Sequence, residues 1–246
     1  MIFLHRMAQP KVLITGINGK IGQVIVRAHS DRWDIYGIDR EGDGVRVFTA
    51  DISDWNSLSA AFAKIGKPDA VIHLAAIADS RASWDDVLRH NIIGTRYVYE
   101  CAKNIGAGRV VFASSVHAVG AYDHELLGTG KTISVHDAIR PDGDYGTSKA
   151  IGEAMARQYW EQYKLRSLVL RIGSVMAEDD PRADVRLMAI WLSHRDLAHL
   201  MERAVMADIN FGTYFAASKN TSRIWNLSDT ERDLSYHSQD DSAQLR

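Results

Sequence analysis

The feature that most constrains the fold is a regular alternation of short apolar runs with segments of helical periodicity between residues 11 and 174. Short apolar runs bounded by turn residues predict buried strands. We predict strands at 11–16, 33–39, 44–51, 69–76, 109–115 and 166–174, and helices at 19–30, 53–65, 84–106 and 145–164. Because the strands are apolar throughout, both faces of the sheet should be covered, which predicts an α/β fold with a doubly wound parallel sheet.

The alternation ends at about residue 175. Residues 183–207 have a helical pattern, and 210–218 and 222–227 resemble short strands. We therefore predict an N-terminal extension at 1–10, a main domain at 11–174 and a small C-terminal lobe for the substrate at 175–246.

Composition narrows the class of function. The 246 residues are 46% hydrophobic and 24% charged, with a formal net charge of -2, which predicts a soluble globular protein. The near-neutral charge gives no basic surface for nucleic acid or an anionic membrane, and no apolar run approaches the roughly 20 residues of a membrane helix. Cys101 is the single cysteine, so no internal disulfide can form and we expect a cytoplasmic location. We expect no nucleic-acid partner, no membrane partner and no metal site.

A glycine-rich turn, "TGINGKIGQ", joins the first predicted strand to the first helix. Its spacing is G-x-x-G-x-x-G, in which Gly16 permits the tight turn, Gly19 lets the backbone approach a pyrophosphate and Gly22 lets the helix pack closely on the sheet. The helix N-terminus offers amides and a positive dipole end to phosphates. The candidate cofactor contacts here are Gly16, Asn18, Gly19, Lys20, Ile21 and Gly22. The alternative is a tight turn without a ligand.

Asp39 ends the second predicted strand, where a carboxylate can accept the hydroxyl groups of an adenosine ribose. A free 2'-hydroxyl favours NAD over NADP, whose phosphate would meet a like charge. Arg40 leaves tolerance of NADP open, since an arginine can bind that phosphate. Asp51 and Ile52, after the third strand, are candidates for contact with adenine; the alternative for Asp51 is a cap or turn residue.

A tyrosine precedes a lysine by four positions at the start of the predicted helix 145–164. Residues four apart lie on one helix face, so Tyr145 and Lys149 should point the same way. A neighbouring cation favours the phenolate and lowers the pKa of a tyrosine, which would make Tyr145 a base for neutral pH. The alternative is a packed tyrosine and a solvated lysine.

The motifs described above, together with "HLAA", "NIIGT", "FASSVHAVG" and "YGTSK", occur in the order typical of extended short-chain dehydrogenase/reductases over residues 11–175. The chain resembles this family, whose main domain is an NAD-binding Rossmann-type fold. The resemblance implies that Ser115, Tyr145 and Lys149 are catalytic. It also implies that Leu74, Ala75, Ala76 and Asn91 contact the cofactor together with Tyr145 and Lys149. For Asn91, a role in fixing the local geometry of the helix is the alternative.

A closer resemblance, to uronate dehydrogenases, rests on "FASSVHAVG", "RPDGDYGTSKAIGE", "RIGS" and "RLMAIWLSHRDLAHLMERA". It implies that His117, Ser174 and Arg186 contact the sugar, with Arg186 on the uronate carboxylate. Val116 and Ala78 replace an asparagine and a serine of that family, so two polar contacts to the sugar are absent. Related archaeal sugar-phosphate dehydrogenases share the architecture, which leaves carboxylate and phosphate open as partners of Arg186.

The resemblance implies NAD-dependent oxidation of a cyclic sugar, a uronate first, at C1 to the lactone, and a homo-oligomer that associates through helices 84–106 and 145–164. An aldose or sugar-phosphate dehydrogenase is the alternative, followed by a nucleotide-sugar epimerase, which needs a larger C-terminal lobe. A dehydratase would carry an acidic pair where Val116 and His117 stand. A non-catalytic NAD-sensing protein is disfavoured because Tyr145 and Lys149 are both present.

Overall fold

The computed structural model describes residues 9–245, so the predicted N-terminal extension lies outside the described residues except for its last two positions. The described residues form one sheet with strands β1 Lys11–Thr15, β2 Asp34–Asp39, β3 Val47–Thr49, β4 Ala70–His73, β5 Arg109–Ser115, β6 Arg166–Ile172 and β7 Phe211–Ala216. The strands lie in the order β3-β2-β1-β4-β5-β6-β7, and every neighbouring pair is parallel. The predicted parallel sheet is confirmed.

Helices cover both faces of this sheet. They are α1 Lys20–His29, α2 Trp55–Ile65, α3 Trp84–Asp86, α4 Gly94–Asn104, α5 Asp123–Leu126, α6 Asp144–Tyr163, α7 Val185–Ile190, α8 His194–Met206 and α9 Ser228–Leu234. Val12 and Ile14 of β1 pack in one core with α1 and α8, whereas Leu13 packs in the opposite core with α2, α4 and α6. Successive side chains of a strand point to opposite faces, so two covered faces require the continuously apolar strands seen in the sequence.

The helix predicted at 84–106 is continuous but not uniform. Residues Val87–Ile93, between α3 and α4, are π-helical. Such wide turns inside helices often occur at functional sites. Asn91 lies in this segment. No helix of the described residues is long and apolar enough to cross a membrane.

The C-terminal part differs from the sequence prediction in three ways. The helical stretch 183–207 is broken, because Trp191 is extended and pairs with Ser174 after β6. The strand predicted at 222–227 is wrong: Trp225 forms an isolated bridge to Ile133 and packs in a third core, so the apolar run reflects burial of a loop. The strand predicted at 210–218 is confirmed as β7, but it extends the main sheet beside β6. The division of the chain at residue 175 stays a prediction about function.

Candidate active site

A cavity of about 780 Å³ opens at the carboxyl ends of the central strands, which is within the usual size range for small-molecule sites. Doubly wound sheets bind ligands at this edge. Nearly all the residues proposed from the sequence line this one cavity: Gly16, Asn18, Gly19, Lys20, Ile21, Gly22, Asp39, Asp51, Ile52, Leu74, Ala75, Ala76, Ser115, His117, Tyr145, Lys149, Ser174 and Arg186. Asn91 is the proposed residue that does not.

The glycine-rich turn has the shape that a dinucleotide needs. Gly16 has a positive φ of 75°, and a Cβ added there would lie 2.8 Å from the amide nitrogen of Ala75. A Cβ on Gly22 would lie 2.3 Å from the carbonyl oxygen of Ile17, so α1 packs closely on the turn. Gly19 is the N-cap residue of α1, and no side chain there accepts a hydrogen bond from the first-turn amides. The first-turn amides of α1 are therefore available to a pyrophosphate, and the residues present fit NAD.

Asp39 is fixed at the edge of this turn. Its Oδ2 accepts a hydrogen bond from the backbone amide of Asn18 at 2.9 Å, and its Oδ1 accepts one from the amide of Arg40 at 2.8 Å. A carboxylate has about four acceptor sites, so each oxygen keeps a site for a ribose hydroxyl. The two amides hold the carboxylate in place beside the glycine-rich turn.

Asp51 behaves as a turn residue that also lines the cavity. Its Oδ1 accepts hydrogen bonds from the amide and the hydroxyl of Ser53, both at 2.8 Å. Burial acts to raise the pKa of Asp51, but the two hydrogen bonds from Ser53, together with the charges of His90 and Arg89, hold the pKa below its usual range. His90, which the motifs did not reveal, lies with its Nε2 4.0 Å from Oδ2 of Asp51 and is part of the cavity lining.

Asn91 differs from the predicted cofactor contact. Its Oδ1 accepts a hydrogen bond from the amide of Ile77 at 2.8 Å, and its Nδ2 donates to the carbonyl of Ile77 at 3.0 Å and to Oγ of Ser148 at 3.2 Å. The side chain is buried and joins the loop after β4 to α6. This agrees with the alternative considered from the sequence, in which Asn91 fixes local geometry.

Ser115, Tyr145 and Lys149 come together where the end of β5 meets the start of α6. Ser115 lies close enough to the Tyr145 hydroxyl to act on its pKa, and both residues line the cavity. Nζ of Lys149 donates to the carbonyl of Ala113 at 2.8 Å and lies 5.6 Å from the centre of the Tyr145 ring. The expected placement of Tyr145 and Lys149 on one face is thus observed.

The titration of this pair differs from the expectation that Lys149 lowers the pKa of Tyr145. Desolvation raises the pKa of Tyr145, the hydrogen bond with Ser115 opposes this, and the nearby charge of Asp142 adds to it. Desolvation also lowers the pKa of Lys149 to about 8. Desolvation is the largest cause of both pKa shifts.

Beside Tyr145, His117 is oriented by an acid that the motifs did not reveal. Its Nδ1 lies 2.7 Å from Oδ2 of Asp142, and its ring meets Tyr145 edge-on with 5.5 Å between ring centres. A Cβ on Gly120 would lie 2.2 Å from Oδ2 of Asp142. Gly120, within the "FASSVHAVG" motif, was thus the sequence signal that another group approaches closely here.

Ser174, which follows β6, and Arg186 of α7 both line the cavity. Ser174 directs its hydroxyl to Sδ of Met176 at 3.2 Å, a weak acceptor. Arg186 donates from Nε to Oδ2 of Asp123 at 2.6 Å. The two terminal nitrogens of the guanidinium are not part of this ion pair. They are the nitrogens that can bind a carboxylate or phosphate at two points.

Comparisons with known proteins agree with this geometry. Residues 12–208 match the model of the NAD dependent epimerase/dehydratase family. In Haloferax volcanii, an NAD-dependent glucose-6-phosphate dehydrogenase is 34% identical over 97% of this chain and 96% of its own, and an L-arabinose 1-dehydrogenase (NAD(P)(+)) is 34% identical over 95% and 98%. The crystal structure of uronate dehydrogenase from Agrobacterium tumefaciens has a TM-score of 0.84 and 29% identity, covering 96% of this chain and 87% of that one.

The relatives are named for three different sugars, which supports a sugar dehydrogenase and leaves the particular sugar to experiment. The matching family is NAD dependent, so the cofactor predicted from the glycine-rich turn and Asp39 is confirmed. The fold, the glycine-rich turn and the serine, tyrosine and lysine at one cavity edge all agree with that match: the chain belongs to the NAD dependent epimerase/dehydratase family.

Proposed function

We propose that this chain oxidises C1 of a cyclic sugar, a uronate in the first instance, to the corresponding lactone. The observation that carries the proposal is the meeting of Ser115, Tyr145 and Lys149 in the same cavity as the glycine-rich turn and Arg186. NAD, when bound, supplies the acceptor for the hydride that leaves C1. The remaining chemistry is positioning and proton transfer by the protein.

The cofactor would be held by the main domain, residues 11–174. The α1 amides after Gly19 would bind the pyrophosphate, and Asp39 would accept the adenosine ribose hydroxyls. Lys149 would donate to the nicotinamide ribose. The region after residue 174 adds Arg186 to the cavity beside Ser174, which is the reason for assigning that region to the substrate.

Tyr145 would act as the general base that takes the proton of the C1 hydroxyl. Desolvation raises the pKa of Tyr145, so its phenolate needs a nearby positive charge. Lys149 supplies that charge at neutral pH, because its pKa of about 8 keeps it mainly protonated. Ser115, which lines the same cavity as Tyr145, would donate to the C1 oxygen as charge develops on it.

Arg186 would bind the carboxylate of a uronate. Nε is used by Asp123, so the two terminal nitrogens remain for a two-point contact with a carboxylate. Val116 lines the cavity at a position where the resemblance to uronate dehydrogenases implies an asparagine, so the sugar hydroxyls would have fewer partners here. Arg186 therefore carries more of the recognition of an acidic sugar.

The test is NADH formation from NAD with purified protein and a panel of glucuronate, galacturonate, glucose 6-phosphate, L-arabinose and glucose. We expect the largest kcat/KM with a uronate, and a lactone as first product. Tyr145→Phe serves as the control for enzyme-dependent turnover. Interconversion of nucleotide sugars without net NADH would contradict the proposal and support an epimerase.

A further inference from the structure

Asp123 is a buried acid that serves Arg186. It is the first residue of α5 and is 7% exposed. Its Oδ2 accepts from Nε of Arg186 at 2.6 Å, whereas Oδ1 is buried and has no hydrogen-bond partner among residues 9–245. Burial raises the pKa of Asp123, and Arg186 is the main group that opposes this. The carboxylate thus depends on Arg186, and the position of Arg186 depends on the carboxylate.

The charges around this pair are not those of a phosphate site. Asp142 and His117 are the other charged groups that act on Asp123. Two carboxylates therefore face one guanidinium and one imidazole, and this cluster has no positive excess in either protonation state of His117. Phosphate sites usually concentrate positive charge or several donors on the dianion.

The other cations of the cavity do not change this balance. Lys20 and Arg40 lie at the glycine-rich turn and after β2, where the cofactor is expected. Arg81 is 89% exposed and pairs with Asp79 at 3.4 Å. Lys149 is buried and donates to the carbonyl of Ala113. Among these cations, Arg186 is the one that a buried carboxylate, Asp123, holds in place at the cavity.

We infer that Asp123 is a positioning residue that sets the charge specificity of this site. It fixes Arg186 and offsets its charge, so that a sugar carrying a single negative charge is accepted and a doubly charged sugar phosphate is disfavoured. A phosphate monoester carries about -1.5 to -2 at pH 7, so the repulsion from Asp123 is larger for it than for a carboxylate. The inference rests on the proposed function and adds the class of anion.

The test compares kcat/KM for a uronate with that for the matching aldose 6-phosphate at saturating NAD. Asp123→Asn keeps an acceptor for Arg186 and removes the charge, so the phosphate-to-uronate ratio should rise about tenfold. Glu125→Gln is the matched control, since Glu125 lies on the same helix and pairs with Arg140 at 2.6 Å, on the exposed surface. We expect no change of the ratio in this control.

A second variant, Asp123→Ser, removes the same charge with a smaller side chain if Asp123→Asn does not fold. Equal changes for both substrates would show that Asp123 only supports the fold and would overturn the inference. A wild-type preference for the aldose phosphate would also overturn it while leaving C1 oxidation intact. If no free sugar yields NADH, the proposed function itself fails.

Discussion

Nζ of Lys149 lies 5.6 Å from the centre of the Tyr145 ring, one helical turn further along α6. Lys149 is buried, and desolvation moves the pKa of the lysine down and that of the tyrosine up. Each shift disfavours the charged form that the proposed mechanism requires. The two groups therefore have to be tested as a pair.

Tyr145→Phe should lower kcat by about 10²- to 10⁴-fold, because the general base is removed while the ring remains. Binding of NAD, measured by calorimetry, should change little. Tyr163→Phe is the matched control, because Tyr163 is the last residue of α6 and is 45% exposed. Full activity of Tyr145→Phe would remove Tyr145 from the mechanism.

Lys149→Met should raise the free energy of unfolding at pH 7 by about 1–3 kcal/mol while abolishing most activity. The pKa of Lys149 is about 8 in the fold, against 10.5 in a free lysine. The unfolded chain therefore binds more protons between these values, and stability of the wild type should rise with pH in that window. In Lys149→Met, urea unfolding should lack this rise, and the remaining activity should need a higher pH. A variant less stable at every pH would contradict the prediction.

Asp39→Ala should weaken binding of NAD by about 10- to 150-fold, since a charge-assisted contact contributes roughly 1.5–3 kcal/mol. The difference in affinity between NAD and NADP should become smaller, because Asp39→Ala removes both the acceptor for the ribose hydroxyls and the charge that repels the 2'-phosphate of NADP. Glu41→Ala is the control, as the Glu41 side chain is not part of the cavity lining. If the wild type prefers NADP, Arg40 and not Asp39 determines which cofactor binds.

Glu153→Ala should destabilise the fold by about 3–5 kcal/mol, because it leaves Arg171 buried without a counter-charge. Glu153 accepts from Nη2 and Nε of Arg171 at 2.8 and 3.0 Å, and from Oγ of Ser114 at 2.6 Å. The pair joins α6 to β6 beside Lys149. The double variant Glu153→Leu, Arg171→Met should regain much of the loss in denaturant unfolding. No recovery in the double variant would indicate that packing, and not charge, dominates.

His73 should make the protein sensitive to acid. It is buried between hydroxyls of Thr15 and Thr95 at 2.8 and 3.0 Å, and burial lowers its pKa to about 3. Below pH 6.5 the unfolded histidine binds a proton that the folded one does not, so stability should fall by up to about 1.4 kcal/mol per pH unit toward pH 3. His73→Gln should make the stability depend less on pH in this range. The control is His136→Gln, whose side chain is 80% exposed, and it should leave the pH dependence unchanged. An unchanged slope in His73→Gln would assign the acid sensitivity to other groups.

The sequence alone predicted the parallel sheet and the position of the cofactor site, because both are written in local patterns. A strand covered on both faces needs apolar side chains at consecutive positions. Gly16 is required by its own positive φ, and Tyr145 and Lys149 share a face because four residues make about one helical turn. Each of these patterns involves only residues that are close together in the sequence.

The tertiary structure decided what depends on distant contacts. Asp123 and Arg186 are 63 residues apart in the chain, and neither lies in a pattern that names the other. Trp191 interrupts a helical pattern because it pairs with the chain after β6. Trp225 lies in a segment with a strand-like pattern, but it packs into a core instead of forming a regular strand. The pKa values of Tyr145 and Lys149 likewise depend on desolvation by the whole fold. Local sequence sets backbone preference and periodicity, whereas burial and charge pairing follow only once distant segments pack together.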